Sequence, residues 1–403
     1  MKKKLVIIGA GYQQIEAYKI AKSLGHYVIG TDIDPEAPAF NFADFKLICS
    51  TRNPDETLNS TKSYVANYGQ IHGVMTMAND VPVTVSKVAD FFDLPSTPVA
   101  VAVNTSSKLT MKEKWAGTEV KIPKYSYVKD ISSFQKEIAK FNFPCIVKPT
   151  DGRGSKGVFY VEENCDLEWI FSESIKHSDS GSLLIEEYIA GPQLSVESIF
   201  FDDKFYPIAF ADRNYTRLHQ FKPYIIEDGG VLPSGLHQDL LSEVGKTVEK
   251  ASRLLGVSWG TVKADIVIND GVIYILELAS RLSGGFLASH HIPRTLGINL
   301  IEVVIKLALG ESIKVSDITP KHKSYLGVRY FFTKPGRLTE IDLPETDEFL
   351  EIDQYKFVGD YMPPISNSGV NVGYVLATAN SYEVAKKRVE DYVSQVTVKT
   401  EEV

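Results

Sequence analysis

The sequence lacks the features that mark several large classes of protein. Only three of its 403 residues are cysteines, and no two of them have the C-x-x-C spacing of a zinc knuckle. So few cysteines fit a reducing compartment, and we expect a cytoplasmic protein without a disulfide framework. No apolar run reaches the roughly 18 residues of a membrane-spanning helix. The apolar run after the basic residues 1–4 is also too short for a signal peptide, so no membrane partner is expected.

An excess of basic residues is also missing. The chain has 43 lysines and arginines against 51 acidic residues, a net charge of −8, which argues against a broad nucleic-acid surface. A local basic pocket remains compatible with this charge. The composition is otherwise that of a folded globular protein, with 44% hydrophobic and 23% charged residues. A chain of this length is expected to form roughly two to four domains.

The first hundred residues have the pattern of a parallel sheet with helices on its faces. Residues 2–35 read as a buried strand, a glycine turn, an amphipathic helix ending at Gly25 and a second strand ending at Asp32. Two more short strands and a helix follow before about residue 95. This order predicts a doubly wound α/β domain, and the segment 93–108, which contains proline and serine, is its predicted exit linker.

Part of this first domain imitates a nicotinamide dinucleotide-binding turn. Gly9, Gly11 and the later Asp32 occupy places in that fingerprint. The place of its third glycine is taken by Gln14, whose side chain would crowd the packing of the helix against the strand. NAD binding is therefore disfavoured for this domain.

A glycine-rich basic segment, KPTDGRGSKGV at residues 148–158, is the first signal of a binding site. Its glycines fit G-x-G-x-x-G, but a dinucleotide turn needs a following helix, and both flanks here read as strands. A Walker loop would end in Gly-Lys-Ser or Gly-Lys-Thr, and Ser-Lys-Gly stands there instead. Two interpretations remain open: a hairpin that folds over the phosphates of a nucleotide, or a solvated surface hairpin that binds nothing.

The lysine that begins this segment favours the first interpretation. Lys148 ends an apolar strand, CIVKP, so its ammonium group is expected to emerge from a buried element beneath the hairpin. A cation in that position needs an anionic partner, and the phosphates of a nucleotide supply one.

A second strand pair carries two carboxylates. Residues 263–281 read as two strands joined by a turn at residues 269–271, which brings Asp265 and Glu277 side by side on one face. Two carboxylates among apolar neighbours repel each other unless a cation lies between them. Mg²⁺, or Mn²⁺ in its place, is the predicted occupant, because it takes oxygen ligands and leaves positions for phosphates. A solvated hairpin face is the alternative.

Taken in this order, the parts resemble the ATP-grasp superfamily over nearly the whole chain. The resemblance is to its carboxylate–amine ligases, which are similar to biotin carboxylase, the large subunit of carbamoyl-phosphate synthetase and L-amino acid ligases. It implies a multidomain fold of the α/β and α+β classes: a Rossmann-like pre-ATP-grasp domain, a small subdomain with the glycine hairpin, a central subdomain with the metal site and a C-terminal α+β domain. The expected boundaries are 1–100, 101–181, 182–318 and 319–403.

The resemblance assigns roles to residues around the glycine hairpin. Lys108 and Lys148 would hold the nucleotide phosphates, and the backbone at Glu186 and Ile189 would meet the adenine edge. The implied ATP-binding residues, besides the two lysines, are Gly152, Gly154, Ser155, Lys156, Gly157, Glu186, Glu187, Ile189 and Gln193. The family usually has a glutamate at position 193, and the amide of Gln193 can still bond to ribose hydroxyls.

The family pattern also continues beyond Glu277. Most relatives have an asparagine two residues later that helps to hold a second metal ion, and here that place is Ala279. A second Mg²⁺ would therefore be short of a ligand, or served by water or Ser280. Arg281 matches the arginine that can stabilise the transferred phosphoryl group. With the two lysines beneath the hairpin, it completes the implied catalytic set.

Substrate contacts are predicted in three places. The first domain would line the substrate pocket, and a charged loop and the residues after the arginine would also meet the substrate. These candidates are Tyr12, Gln13, Glu16, Arg213, Lys222, Ser283 and Gly284.

The resemblance implies an ATP-dependent ligase. It would phosphorylate a substrate carboxylate to an acyl phosphate, couple the acyl group to an amine, and release ADP and phosphate. Small-molecule carboxylates and amines would be its partners, without nucleic acid, and relatives suggest a homodimer. Two alternatives remain: an enzyme that activates bicarbonate, as biotin carboxylase and carbamoyl-phosphate synthetase do, and a nucleotide-binding protein without catalytic activity.

Overall fold

The structure is a computed structural model that describes residues 2–402. Across those residues, no helix is long and apolar enough to cross a membrane. The described residues form four sheets, with four, eight, three and four strands. The glycine hairpin and the carboxylate hairpin belong to two different sheets, so the site between them depends on how those sheets meet.

The first sheet is the predicted doubly wound unit. Its elements are β1 Lys4–Ile8, α1 Ile15–Ser23, β2 Tyr27–Asp32, β3 Phe45–Ile48, α2 Pro54–Tyr68, β4 Gly73–Met75 and α3 Pro82–Phe91. The strands are parallel in the order β3-β2-β1-β4. Alternate residues of β1 enter different cores, Leu5 and Ile7 on one face and Val6 and Ile8 on the other. Both faces are therefore covered, as a continuous apolar strand requires.

The predicted linker after this unit is partly helical. It contains α4 Val99–Asn104. Ala102 on this helix is fully buried, and Asn104 Nδ2 donates to the carbonyl of Leu255 at 3.0 Å. The segment predicted as a linker therefore contains a helix that contacts a later part of the chain.

The second sheet carries the glycine hairpin. Its elements are α5 Lys108–Trp115, β5 Tyr125–Val128, α6 Ile131–Ile138, β6 Cys145–Pro149, β7 Phe159–Val161, α7 Leu167–Ile175 and β8 Leu183–Glu187. The strands are antiparallel in the order β5-β8-β6-β7, and residues 150–158 join β6 to β7, which confirms the predicted hairpin. β6 pairs with β8 along its whole length, which holds Lys148 in the sheet, whereas its pairing with β7 ends at Val147.

The remaining strands form the largest sheet and a small one. The elements are β9 Gln193–Phe201, β10 Lys204–Arg213, α8 Leu218–Phe221, β11 Gly229–Leu232, α9 Gln238–Leu254, β12 Gly260–Asn269, β13 Val272–Ala279, α10 Ile292–Leu296, α11 Leu300–Ala308, β14 Tyr325–Phe331, β15 Gly336–Asp342, β16 Leu350–Gln354, β17 Tyr361–Met362, β18 Gly373–Ala379, α12 Tyr382–Gln395 and β19 Thr397–Glu401. The large sheet has the order β13-β12-β9-β10-β11-β14-β18-β16, and the small one β17-β15-β19. Since β11 pairs with β14, the large sheet continues across residue 318, which is the expected boundary between the central subdomain and the C-terminal domain.

The carboxylate hairpin has one buried apolar face. Val262, Ala264 and Ile266 of β12 pack in one core with apolar residues of α9. Because side chains alternate along a strand, Lys263 and Asp265 point to the opposite face. The fold therefore turns the charged residues of this hairpin away from the core and toward the second sheet's hairpin.

We predict that Gly229, on β11, tolerates no side chain. Its φ is +132°, and an added Cβ would lie 2.0 Å from the carbonyl oxygen of Val328 on β14. Gly229→Ala should therefore lower the free energy of unfolding by about 2–4 kcal/mol, measured by urea denaturation. Gly271→Ala is the matched control, since its φ is +78° but nothing lies within 4 Å of an added Cβ. That variant should lose only about 1 kcal/mol, and equal losses in both would contradict the close approach.

Candidate functional site

Two adjoining cavities lie between the glycine hairpin, the carboxylate hairpin and the first sheet. We call the smaller one, of about 260 Å³, the hairpin cavity and the larger one, of about 590 Å³, the outer cavity. The residues that line both cavities are Asp80, Gly154, Ser155, Arg213, Lys263 and Arg281. We call this set the junction. It combines one acidic and three basic side chains with the tip of the glycine hairpin.

Most of the predicted nucleotide-binding residues line the hairpin cavity. They are Lys108, Lys148, Gly152, Gly154, Ser155, Glu186, Glu187, Ile189 and Gln193. Asp265, Glu277 and Arg281 line the same cavity, so the structure brings both hairpins to one space. Lys156 lines only the outer cavity. Gly157 lines neither, because it packs beside His177.

A buried carboxylate holds the lysine at the end of β6. Lys148 Nζ lies 2.8 Å from Glu186 Oε2, and Lys112 Nζ lies 3.2 Å from Glu186 Oε1. Burial alone would raise the pKa of Glu186, but the two ammonium groups outweigh it and hold that pKa below its ordinary value. Burial lowers the pKa of Lys112 to about 8, against the opposing effect of Glu186. We call these three residues the buried triad.

The triad was only partly predictable. Glu186 was expected to contact adenine through its backbone, whereas its side chain positions Lys148. Lys112 was not predicted at all. It follows Lys108 by four residues on α5, which places both lysines on one face of the helix, and that spacing is the signal that could have found it.

The two predicted metal-binding carboxylates face each other. Asp265 and Glu277 are directly opposite in the β12–β13 pairing. Arg213 Nη1 lies 3.1 Å from Asp265 Oδ1, and Lys263 Nζ contacts Asp265 Oδ2. Burial would raise the pKa of Asp265, but these two cations hold it well below its ordinary value. Glu277 is less engaged, with Lys108 Nζ at 3.3 Å from its Oε2.

These donors fit a magnesium ion that takes most of its ligands from elsewhere. In the part of the chain that the structure describes, no group of three or more His, Cys, Asp or Glu side chains forms a metal site alone. Mg²⁺ commonly binds one or two carboxylates and completes its coordination with water and phosphate oxygens. The side chain of Glu277 is 32% exposed and lines the hairpin cavity, so it is the more available donor.

A lysine stands opposite Ala279, the residue at the place where the resemblance led us to expect a metal-binding asparagine. Lys263 pairs directly with Ala279 across the hairpin and lines both cavities. Ser280 does not serve this position, since its hydroxyl lies 2.8 Å from that of Thr105 and lines a separate small cavity. The donor set therefore fits one Mg²⁺ with an ammonium group beside it, rather than two metal ions.

Arg281 is fixed at the junction by a residue of the first unit. Its Nε donates to Asp80 Oδ1 at 2.5 Å, and its Nη1 donates to the carbonyl of Leu282 at 3.1 Å. Burial would raise the pKa of Asp80, but Arg281 holds it below its ordinary value. Asp80 follows β4 and was not predicted, because the contact joins residues 201 positions apart.

The predicted substrate contacts divide into two groups. Tyr12, Gln13, Arg213, Ser283 and Gly284 line the outer cavity. Glu16 and Lys222 line neither cavity, so the cavity linings give their predicted role as substrate contacts no support. Glu16 pairs with Lys19 at 2.9 Å, and Lys222 pairs with Glu162 at 2.6 Å. These surface ion pairs account for both charges.

Side chains of the first unit, Asp32 and Gln14, occupy the surroundings of its glycine turn. Asp32 Oδ2 accepts a hydrogen bond from the backbone N–H of Ala10 at 2.9 Å. Gln14 Nε2 donates to the carbonyl of Met77 at 2.6 Å, and its side chain lies against Gly9 and Gly11. The side chain of Gln14 therefore occupies the space beside this turn.

A buried glutamate lies behind the outer cavity. Glu197 Oε2, on β9, accepts a hydrogen bond from the backbone N–H of Ser283 at 3.1 Å. Its Oε1 has no hydrogen-bond partner among residues 2–402. Burial raises the pKa of Glu197 to about 7, against the opposing effects of Ser283 and Arg281. This carboxyl group therefore changes its charge near neutral pH.

Comparison with known proteins identifies two regions of the chain. A model of the ATP-grasp domain matches residues 105–285, and a model of the L-amino acid ligase C-terminal domain 2 matches residues 329–401. A formate-dependent phosphoribosylglycinamide formyltransferase of Prochlorococcus marinus is 27% identical over 190 residues, which are 46% of this chain and 47% of that protein. The chain spans about half the length of several curated relatives that it matches. A second Prochlorococcus marinus formyltransferase, 20% identical, is matched over 97% of its length.

Solved structures share the fold along the whole chain. An L-amino acid ligase from Bacillus licheniformis has a TM-score of 0.81 and 18% identity, with 99% of each chain covered. A phosphoribosylglycinamide synthetase from Anaerococcus prevotii has a TM-score of 0.74 and 21% identity, with 100% of each chain covered. At these identities the likeness establishes the fold alone.

Glu197 gives stability a predicted dependence on pH. Its pKa is raised from 4.5 to about 7 on folding, so the folded state holds an extra proton in that window and loses stability as pH rises through it. Glu197→Gln carries no such titration. Its stability relative to the wild type should therefore increase between about pH 5 and about pH 8, by up to about 3 kcal/mol.

Urea denaturation at the two pH values measures this difference. The exposed Glu163 supplies the matched control, Glu163→Gln, whose stability relative to the wild type should stay constant within about 0.5 kcal/mol. If the difference in stability between Glu197→Gln and the wild type were the same at both pH values, the raised pKa of Glu197 would be contradicted.

Proposed function

We propose that this chain, which carries an ATP-grasp domain and belongs to the ATP-grasp superfamily, is an ATP-dependent carboxylate–amine ligase. It phosphorylates a substrate carboxylate to an acyl phosphate and couples the acyl group to an amine. The junction is the observation that carries this proposal. A phosphoryl group passing from a nucleotide in one cavity to a carboxylate in the other crosses it, among Arg213, Lys263 and Arg281.

The hairpin cavity is the proposed ATP site. Lys108 and Lys148 supply positive charge for the phosphates, and the backbone N–H groups of the glycine hairpin supply further donors. Glu187, Ile189 and Gln193 line the remainder of the cavity, where adenine and ribose would lie. The outer cavity then receives the carboxylate and the amine.

Asp265 and Glu277 are the proposed ligands of Mg²⁺, or of Mn²⁺ in its place. When bound with ATP, the ion neutralises phosphate charge and aligns the terminal phosphoryl group. Lys108 lies close to Glu277, so the same carboxylate can also hold this lysine near the phosphates. Support for the assignment comes from the oxygen donors, their opposed positions and their place in the wall of the hairpin cavity.

The chemistry follows from the resistance of a carboxylate to an amine. Its charge repels the nucleophile, and its oxygen is a poor leaving group. In the first step, a carboxylate oxygen bonds to the γ-phosphorus of ATP while the bond to the ADP oxygen breaks. In the second, the amine nitrogen bonds to the acyl carbon, phosphate leaves and the nitrogen gives up a proton. ADP, phosphate and an amide-type product result.

The chain's residues act by position and charge. Arg281, oriented by Asp80, can bind the phosphoryl oxygens with its free guanidinium nitrogen. Lys108 and Lys148 hold the other end of the phosphate chain. Gly154 and Ser155 line both cavities, so the hairpin tip can shield the acyl phosphate from water.

Three further features belong to the proposal. The partners are small molecules, a carboxylate and an amine. Cys49, Cys145 and Cys165 are free, which suits a reducing compartment such as the cytoplasm. A homodimer is also an expectation, supported by a structural neighbour, a biotin carboxylase domain of Hydrogenobacter thermophilus that is described as a dimer.

The ligase proposal predicts that ADP release needs both a carboxylate and an amine. A coupled assay with ATP and Mg²⁺ across a panel of amino acids and other carboxylates measures it. Lys148→Ala and Glu277→Gln should each lower kcat/KM at least about 100-fold, because each removes charge stabilisation of the phosphates. The exposed residues Lys387 and Glu243 give the matched controls Lys387→Ala and Glu243→Gln, which should retain activity.

Two results would contradict the ligase activity. ADP release that depends on bicarbonate and not on an amine would indicate the bicarbonate-activating alternative. ATP binding without ADP release under any of these conditions would indicate a nucleotide-binding protein without catalysis. Full activity of the two site variants would show that the residue roles are wrong.

A further inference from the structure

Aromatic side chains from distant parts of the chain meet in the outer cavity. Its lining includes Tyr12 from the first unit, Phe286 after the junction arginine, and Tyr330 and Tyr355 from the C-terminal part. Tyr12 and Phe286 are edge to face, with ring centroids 6.0 Å apart. Tyr374 does not itself line the cavity but packs behind three of these rings, with its centroid 6.0 Å from Phe286, 6.0 Å from Tyr330 and 5.8 Å from Tyr355. We call these five residues the aromatic wall.

Phe286, which lines the outer cavity, has a strained backbone conformation. Its φ of +62° and ψ of 6° lie in the left-handed region, which a bulky residue rarely adopts and which costs about 1–3 kcal/mol. Neighbouring contacts hold it there. Gly285 N–H donates to Gln13 Oε1 at 2.9 Å, and the carbonyl of Phe286 accepts from the N–H of His290 at 2.9 Å. Strain held in place at a cavity wall is typical of a binding position.

The wall has apolar surface available for a ligand. Tyr12 is 56% exposed although its ring belongs to the cluster. Burial raises the pKa of Tyr330 and of Tyr355, so both phenols stay neutral. A planar ring placed among these side chains would gain edge-to-face or offset contacts in addition to the burial of its own surface.

Most of the charges around the outer cavity are paired with one another. The charged lining residues are Lys156, Arg213, Lys263 and Arg281 against Asp80, Asp212 and Glu227. Two of the acids are already engaged, since Asp80 pairs with Arg281 at 2.5 Å and Glu227 with Arg213 at 2.6 Å. Asp265 also engages Arg213 and Lys263, so most of these charges are already paired. A neutral ring can therefore bind here without a counter-ion.

We propose that the aromatic wall is a subsite for an aromatic ring carried by the carboxylate substrate. The inference rests on the proposed function, because the basic side chains of the junction fix the carboxylate at one end of the outer cavity. The substrate class is then a carboxylic acid with an aryl substituent, such as an aryl amino acid. A cavity of about 590 Å³ has room for such a molecule and a second small substrate.

Isothermal titration in the presence of Mg²⁺ and ADP tests the subsite. The ligands are L-phenylalanine, L-cyclohexylalanine and L-alanine, which share one carboxylate and one amine and differ only in the side chain. Phenylalanine should bind at least about 30-fold more tightly than alanine, through burial of the ring and aromatic contacts. It should bind about threefold or more tightly than cyclohexylalanine, which has similar bulk but no aromatic face.

Variants of the wall separate ring recognition from folding. Tyr330→Ala should weaken phenylalanine binding about tenfold and change alanine binding less than twofold, whereas Tyr330→Phe should keep the wild-type preference. Phe286→Ala should act like Tyr330→Ala. Tyr361, which is 54% exposed and lies outside the cavity, supplies the control Tyr361→Ala. Urea denaturation confirms that each variant is folded.

Failure of the aromatic subsite and failure of the ligase activity would give different results. The subsite is overturned if phenylalanine does not bind, if alanine or cyclohexylalanine binds equally well, or if the wall variants keep the preference for phenylalanine. These are binding results, so they decide the matter whether or not the protein turns over. The absence of ADP release with every carboxylate would instead contradict the ligase activity.

Discussion

The buried contact between Lys148 and Glu186 is the constraint on which the rest of the site depends. A charged group without a partner is too costly to bury, so Lys148, Glu186 and Lys112 are tolerated inside the second sheet only together. Their pairing also determines where the ammonium group of Lys148 lies. The adjacent strands β6 and β8 supply the lysine and the glutamate, and α5 supplies the second lysine. One ammonium group is thereby held at the base of the glycine hairpin.

The remaining parts of the site are arranged around this fixed charge. The largest sheet presents Asp265 and Glu277 to the same cavity, because the opposite face of their hairpin is occupied by the core under α9. The first unit contributes Asp80, which orients Arg281 at the junction. The C-terminal strands extend the large sheet and close the outer cavity with tyrosines. Cationic and carboxylate side chains thus lie between the hairpin cavity and the outer cavity. An ATP-dependent ligase requires such charges around the phosphoryl group that it transfers.

The sequence was informative where a property is local. The parallel unit, the glycine hairpin and the opposed pair Asp265 and Glu277 follow from strand periodicity and turn positions within short segments. Contacts between distant segments left no such pattern, which is why Asp80 at Arg281 and the pairing of β11 with β14 were not predicted. Charge alone does not place a residue in the site: Glu16 and Lys222 form ion pairs with Lys19 and Glu162 and line neither cavity. The nucleotide, metal and substrate roles of the site residues remain predictions.

The central claim is that the buried triad holds Lys148 where it can bind phosphates. Isothermal titration with a non-hydrolysable ATP analogue and Mg²⁺ tests it in the wild type, in Lys112→Met and in the exposed control Lys114→Met. Lys112 is fully buried and lines neither cavity, so it makes no direct contact with a nucleotide there, and its nearest ionic partner is Glu186. The account predicts one site per chain and at least about fivefold weaker binding in folded Lys112→Met alone, a loss of about 1 kcal/mol. Unchanged affinity in that variant, or no binding by the wild type, would contradict it.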